Sequence, residues 1–115
     1  MSKFRQGGHT PAFVLLFLAE TPTYGGELLK RFEKELPHNV IDSPSLYRTL
    51  NKLEEQGAVK STWQKQTELR QIKLYELTEF GYDQLALFNE DIQARYENLT
   101  LFLKQYEKLK EIKDD

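Results

Sequence analysis

Seven large apolar side chains, Leu85, Phe88, Ile92, Tyr96, Leu99, Leu103 and Tyr106, follow one another at spacings of 3, 4, 4, 3, 4 and 3 residues. The alternation is close to a heptad repeat and predicts one helix from about Glu79 to Lys110, with an apolar seam along one side. At a rise of 1.5 Å per residue, such a helix of ~30 residues is ~45 Å long. Only 78 residues precede it, and the short elements they encode do not reach along that length. The seam therefore calls for a second copy of the chain. It also fixes the architecture to be sought in front of it, a small domain carrying an appended assembly helix.

The rest of the sequence removes whole classes of function. A chain of 115 residues is one domain, or one domain with an added element. Cysteine is absent, which rules out disulfides, thiolate zinc sites, iron–sulfur clusters and a cysteine nucleophile. The longest apolar run, Ala12 to Ala19, falls well short of the ~20 residues that span a bilayer. Lys3 and Arg5 precede that run, but Glu20 and Thr21-Pro22-Thr23 follow it without a small-residue cleavage pattern. No membrane association and a cytoplasmic address are expected. His9 and His38 stand apart from other metal-ligating residues, and no phosphate-binding glycine loop, nucleophile elbow or paired-carboxylate arrangement occurs. The expectation is a protein without metal or cofactor that is not an enzyme.

Before the seam the chain reads as three helices and a hairpin. Residues 1–9, with Gly7-Gly8, read as a flexible arm. Thr10-Pro11 supplies a cap and a first-turn proline, and Ala12 to Ala19 is apolar nearly all round, so the first helix should be central. A second helix is expected from about Tyr24 to Leu36, with Leu28, Leu29, Phe32 and Leu36 inward, stopped by Pro37. Ser43-Pro44 repeats the cap-and-proline signature. It opens a third helix to Gln56, with Leu46, Leu50 and Leu53 inward and Gly57 at the left-handed C-terminal position. From Ala58 the period becomes two. Strands over Ala58–Trp63 and Leu69–Leu77 are joined by a polar tip, Gln64–Glu68, with Trp63 and Tyr75 expected in the core beneath the hairpin. Thr78 caps the final helix. The fold class expected is mainly α with a small β-hairpin. A winged helix-turn-helix occupies residues 10–78, and a C-terminal dimerisation helix residues 79–115.

That order of elements suits double-stranded DNA. An amphipathic third helix fits the major groove, and its N-terminal part meets base edges while a hairpin wing reaches the backbone. The outer face of the third helix carries Ser45, Arg48, Lys52 and the acidic Glu55, flanked by Tyr47 and Asn51 and preceded by Ser43. Tyr24 heads the second helix, and Lys65, Arg70 and Lys73 lie on the hairpin. All of these but Glu55, ten in number, are the candidate DNA-binding residues. Residues 1–78 hold 11 Lys/Arg against 9 Asp/Glu, while residues 79–115 hold 5 against 9, so the positive balance sits in the half that would meet an anion.

Three segments carry a family likeness: Tyr24-Gly25-Gly26-Glu27-Leu28-Leu29, the stretch Ser43-Pro44-Ser45-Leu46-Tyr47-Arg48 through Leu53-Glu54-Glu55-Gln56-Gly57, and Tyr75-Glu76-Leu77-Thr78-Glu79-Phe80-Gly81. Over about residues 10–85 the chain resembles the PadR family of bacterial transcriptional regulators, and its single last helix is similar to that of the short subgroup. The resemblance implies a homodimeric repressor that binds operator DNA, with Leu85, Phe88, Ile92, Tyr96, Leu99, Leu103 and Tyr106 as dimerisation residues. It further implies release by a small aromatic inducer, for which Phe13, Phe17, Leu85, Phe88 and Ile92 are the candidate lining. Two departures stand out. The family's wing often reads G-R-P-R-K-Y-Y where this chain has Leu69-Arg70-Gln71-Ile72-Lys73-Leu74-Tyr75, and a family tyrosine is replaced by Gly26. These departures and the acidic balance support an alternative, a winged-helix protein-interaction module that has lost DNA binding.

Overall fold

A computed structural model of the chain describes residues 9–39 and 41–114, so all but the last residue of the expected N-terminal arm lies outside the described residues. The elements are α1 (Thr10–Glu20), β1 (Thr23–Tyr24), α2 (Gly25–Glu35), α3 (Ser43–Glu55), β2 (Val59–Thr67), β3 (Arg70–Leu77) and α4 (Glu79–Asp114). This is the expected winged helix with a long last helix. The chain divides into a compact unit that ends at Leu85 and a second that starts at Ala86, and α4 runs through the boundary.

In the first unit α1 lies at the centre. Val14 and Leu15 are fully buried, and Ala12, Phe17 and Leu18 nearly so, as the all-round apolar run required. Leu28 and Phe32 of α2, Leu46 and Leu50 of α3, and Val59 and Tyr75 of the sheet close the core around it. Phe17 packs edge-on against Phe32 at 5.4 Å between ring centroids, and the Arg31 guanidinium lies 3.9 Å from the Phe17 ring centroid. Arg31 also donates to Glu20 at 2.6 Å and to Glu35 at 2.7 and 3.0 Å. The end of α1 is thereby tied to α2. The hydrogen bonds from Arg31 hold the Glu35 carboxyl below the ordinary carboxylate range and raise the guanidinium's own pKa.

The cap of α3 is one residue earlier than the sequence pattern suggested. Asp42, not Ser43, accepts the Ser45 amide at 2.9 Å, and Ser43 and Pro44 form the first helical positions. An ionised carboxylate outcompetes a hydroxyl for amides at the positive end of a helix dipole, and this bond lowers the Asp42 pKa. At the first helix the cap is likewise His9 rather than Thr10. The end of α3 is as expected. Gly57 takes φ +84°, its amide bonds the Glu54 carbonyl, and the Ala58 amide bonds the Leu53 carbonyl, the paired bonds of a Schellman motif. Thr78 then locks α4 to this turn. Its hydroxyl donates to the Gly57 carbonyl at 2.6 Å and accepts the Gly81 amide at 3.0 Å. A Cβ on Gly81 would collide with the Ala58 carbonyl oxygen, so this close approach requires glycine.

The sheet has three strands rather than two, antiparallel in the order β1-β3-β2. β1 takes Tyr24, expected to open the second helix, together with Thr23 before it, and pairs Thr23 with Tyr75 and Tyr24 with Leu74. The hairpin is longer than expected. Lys65 pairs with Gln71 and Thr67 with Arg70, with a bulge at Gln66, so the polar stretch taken for the tip is mostly strand. Trp63 is 64% exposed and is not core, whereas Tyr75 is buried as expected. Trp63 does share the Val59 face, but the strands outrun the helices that cover Val59 and Tyr75.

The described residues of the second unit are all helical, and α4 ends at Asp114, beyond the expected Lys110. Along it Tyr96, Leu99, Leu103 and Tyr106 of the predicted seam are each more than half exposed in the single chain. Leu101, Phe102, Leu109 and Ile112, which lie off the seam, are equally bare, and the Phe102 and Tyr106 rings stack at 6.3 Å. The apolar surface of the distal helix is therefore broader than one heptad stripe.

Candidate nucleic-acid interface

Helix α3 presents a solvent-facing side on which Ser45, Arg48, Asn51, Lys52 and Glu55 follow one another at helical spacing. Arg48 donates to the Ser45 hydroxyl at 3.2 Å, which draws the guanidinium back along the first turns of the helix. A shallow cleft opens on this side over Arg48, Thr49, Asn51, Lys52 and Glu55. Burial of Leu46, Leu50 and Leu53 on the opposite side forces these residues outward.

Beside it lies a second, larger groove of about 580 Å³, bounded by the start of α2, the flank of α3 and the hairpin, and Asn51 borders both. From β1 it takes Tyr24, from α2 Gly25, Gly26 and Glu27, and from α3 Tyr47 and Asn51. The hairpin contributes Trp63, Gln66, Arg70, Ile72, Lys73 and Tyr75. Tyr47 packs across the head of α2 so closely that a Cβ on Gly25 would lie 2.5 Å from its hydroxyl oxygen. The Tyr24 hydroxyl donates to Gln64 at 3.4 Å.

Lys73 is the hub of the hairpin side. It is the cross-strand partner of Trp63, its ammonium lies 5.4 Å from the Trp63 ring and 6.0 Å from the Tyr75 ring, and Glu54 stands 4.0 Å away. Glu54 in turn accepts the Ser61 hydroxyl at 2.6 Å. Burial, with the negative charge of Glu54 as a smaller cause, pushes the Tyr75 phenol up from its usual range.

The structure thus brings Tyr24, Tyr47, Asn51, Arg70 and Lys73 to one groove, and Arg48 and Lys52 to the adjoining cleft. Ser43 and Ser45 lie at the first turn of α3. Lys65 stands apart, paired with Glu68 at 3.4 Å near the hairpin end. Sequence reasoning missed Trp63, Gln66, Glu27 and Glu54. The true hairpin register was the signal that would have found Trp63 beside Lys73. Of the candidate ligand lining, Phe17 is committed to the Phe32–Arg31 stack, while Phe13, Leu85, Phe88 and Ile92 are partly exposed. Among the described residues there is no cluster of metal-ligating side chains and no helix long and apolar enough to cross a membrane.

Comparison with known proteins supplies the context. Residues 14–87 match the model of the transcriptional regulator PadR-like family. The fold is similar to that of a transcriptional regulator from Clostridium thermocellum, 25% identical, covering 83% of this chain and 90% of that one with a TM-score of 0.72. It is also similar to a PadR family transcriptional regulator from Eggerthella lenta, 27% identical, covering 84% and 82% with a TM-score of 0.71. A PadR family transcription regulator from Clostridium difficile aligns over 84% of this chain and 99% of its own at 22% identity, TM-score 0.72, and bears on the fold alone. No curated protein matches the sequence significantly.

Proposed function

Since the chain belongs to the PadR-like family of transcriptional regulators, and so to a family of regulators rather than enzymes, we propose that it is a dimeric repressor that reads operator DNA with α3 and clamps the backbone with its hairpin. One observation carries this reading: Arg48, Asn51 and Lys52 share an open cleft that adjoins the groove reached by Arg70 and Lys73. In this arrangement α3 enters the major groove and presents Ser45, Arg48, Asn51 and Lys52 to base edges. Tyr24, Tyr47, Arg70 and Lys73, which share one groove, meet the phosphate run beside α3, with Ser43 at the helix start and Lys65 near the hairpin end as further backbone contacts.

Dimerisation through Leu85, Phe88, Ile92, Tyr96, Leu99, Leu103 and Tyr106 would pair two reading heads. The bare apolar positions of the distal helix support it, because contiguous apolar surface of this kind marks an interaction site. A small aromatic inducer would act at the protomer interface, against Leu85, Phe88 and Ile92 of α4, by favouring one spacing of the heads over another. Electrophoretic shift of the DNA upstream of the protein's own gene tests the reading. A discrete complex that survives excess unrelated duplex supports it. Failure to shift any promoter fragment favours the protein-interaction alternative.

A further inference from the structure

The groove between α2, α3 and the hairpin holds more aromatic surface than a phosphate clamp uses. Tyr24, Tyr47, Trp63 and Tyr75 all border it. A phosphate contact needs donors and positive charge, which tyrosine hydroxyls can help to supply but the face of an exposed indole ring does not. A base needs a ring to stack on, and stacking is indifferent to base identity because every base has a π-face. Trp63 suits that role, being 64% exposed with the Lys73 ammonium held near its ring.

The polar groups complete the match. Arg70 and Lys73 bring positive charge to the groove's hairpin side, against Glu27 on the α2 side and Glu54 beside Lys73. Asn51 and Gln66 each offer a carboxamide that both donates and accepts, which suits the unpaired edge of a base. Its volume of about 580 Å³ lies within the range of small-molecule sites. We propose that this groove binds a nucleoside 5′-phosphate, with the base on Trp63 and the phosphate against Lys73 and Arg70. The nucleotide is either free or the unpaired residue of a single strand. The inference rests on the same face as the operator reading, and it makes nucleotide and duplex competitors, because Asn51, Arg70 and Lys73 cannot serve both at once.

Trp63 is the only tryptophan of the chain, so its emission reports on this groove alone. The native protein, with no duplex present, is titrated separately with adenosine 5′-monophosphate, with a short oligothymidylate, with adenosine and with inorganic phosphate. Saturable quenching by the mononucleotide, weakened about tenfold in Lys73→Ala, is the expected result. Binding of the oligothymidylate but not of the mononucleotide assigns the site to single strands and also supports the proposal. Absence of a saturable change with either overturns it. Equal response to inorganic phosphate overturns it as well, by reducing the groove to an anion site. In calorimetry, Trp63→Ala should lose the heat of mononucleotide binding; if it binds as the native protein does, the base does not stack there. Because duplex is absent throughout, these outcomes are independent of whether the protein binds an operator.

Discussion

Asp42 and Gly25 show how single positions set the face on which α3 works. Asp42 anchors the first turn of α3 through the Ser45 amide, and that bond holds its carboxyl low. Glu35 is held low in the same sense by Arg31. A carboxylate with a depressed folded-state pKa contributes stability that is present above the ordinary carboxylate range and is lost as pH falls through the lowered value. The melting temperature should therefore fall with acidification below that range. Asp42→Asn, which keeps the acceptor but cannot titrate, should flatten part of the fall, and Asp42→Ala should melt lower at neutral pH than either. Equal melting curves for the three proteins would remove Asp42 from the capping role. At Gly25 an alanine methyl would strike the far end of the Tyr47 ring, which can swing aside. Gly25→Ala should thus change stability by less than about 1 kcal/mol, yet weaken operator binding if the position of Tyr47 matters. Unchanged affinity in a gel shift would confine Tyr47 to packing.

The hairpin is the element whose charges can be sorted by salt dependence. Each phosphate neutralised adds ~0.9 to the slope of log affinity against log salt. Arg70→Ala should lower the slope by about that amount, and Lys73→Ala by less, because Lys73 is already paired with Glu54 at 4.0 Å. Lys65 must first leave Glu68, an exposed pair worth only about 0–1 kcal/mol, so Lys65→Ala should follow the same trend less strongly. Slopes that do not move in any of the three would take the hairpin off the backbone. This element was also the least legible in the sequence. The helices announced themselves through apolar spacing, prolines and Gly57, whose marks are local. The hairpin register is fixed by a bulge at Gln66 and by pairing across the turn, and no single residue type signals either. A five-residue tip over Gln64–Glu68 set Trp63 opposite the wrong partner and hid its contact with Lys73. β1 was missed because a strand of two residues, Thr23–Tyr24, exists only through the partner it finds on β3. Asp42 was passed over because a serine–proline pair stands immediately after it.

On the scale of the whole molecule, the apolar side chains of the distal helix and the cationic side of α3 belong to one account, in which assembly sets the spacing of two reading heads. Leu99 is 62% exposed in the single chain and central to the seam. If the proposed dimer forms through this seam, Leu99→Asp places a charge in its interface, a change that costs several kcal/mol. By light scattering at micromolar concentration the native protein should have twice the chain mass and the variant the chain mass; a native monomer would end the dimer account. The most direct measurement is the affinity of native protein and of the Arg48→Ala, Lys52→Ala double variant for a shifted promoter duplex, taken across a range of salt. The account predicts a steep linear fall of log affinity with log salt for the native protein. It predicts that the double variant, still folded and with its assembly state unaltered, is weakened by roughly 1–3 kcal/mol for each residue that reaches a base edge. Undiminished binding by the double variant, with the native slope and the native preference among sequences, would contradict it.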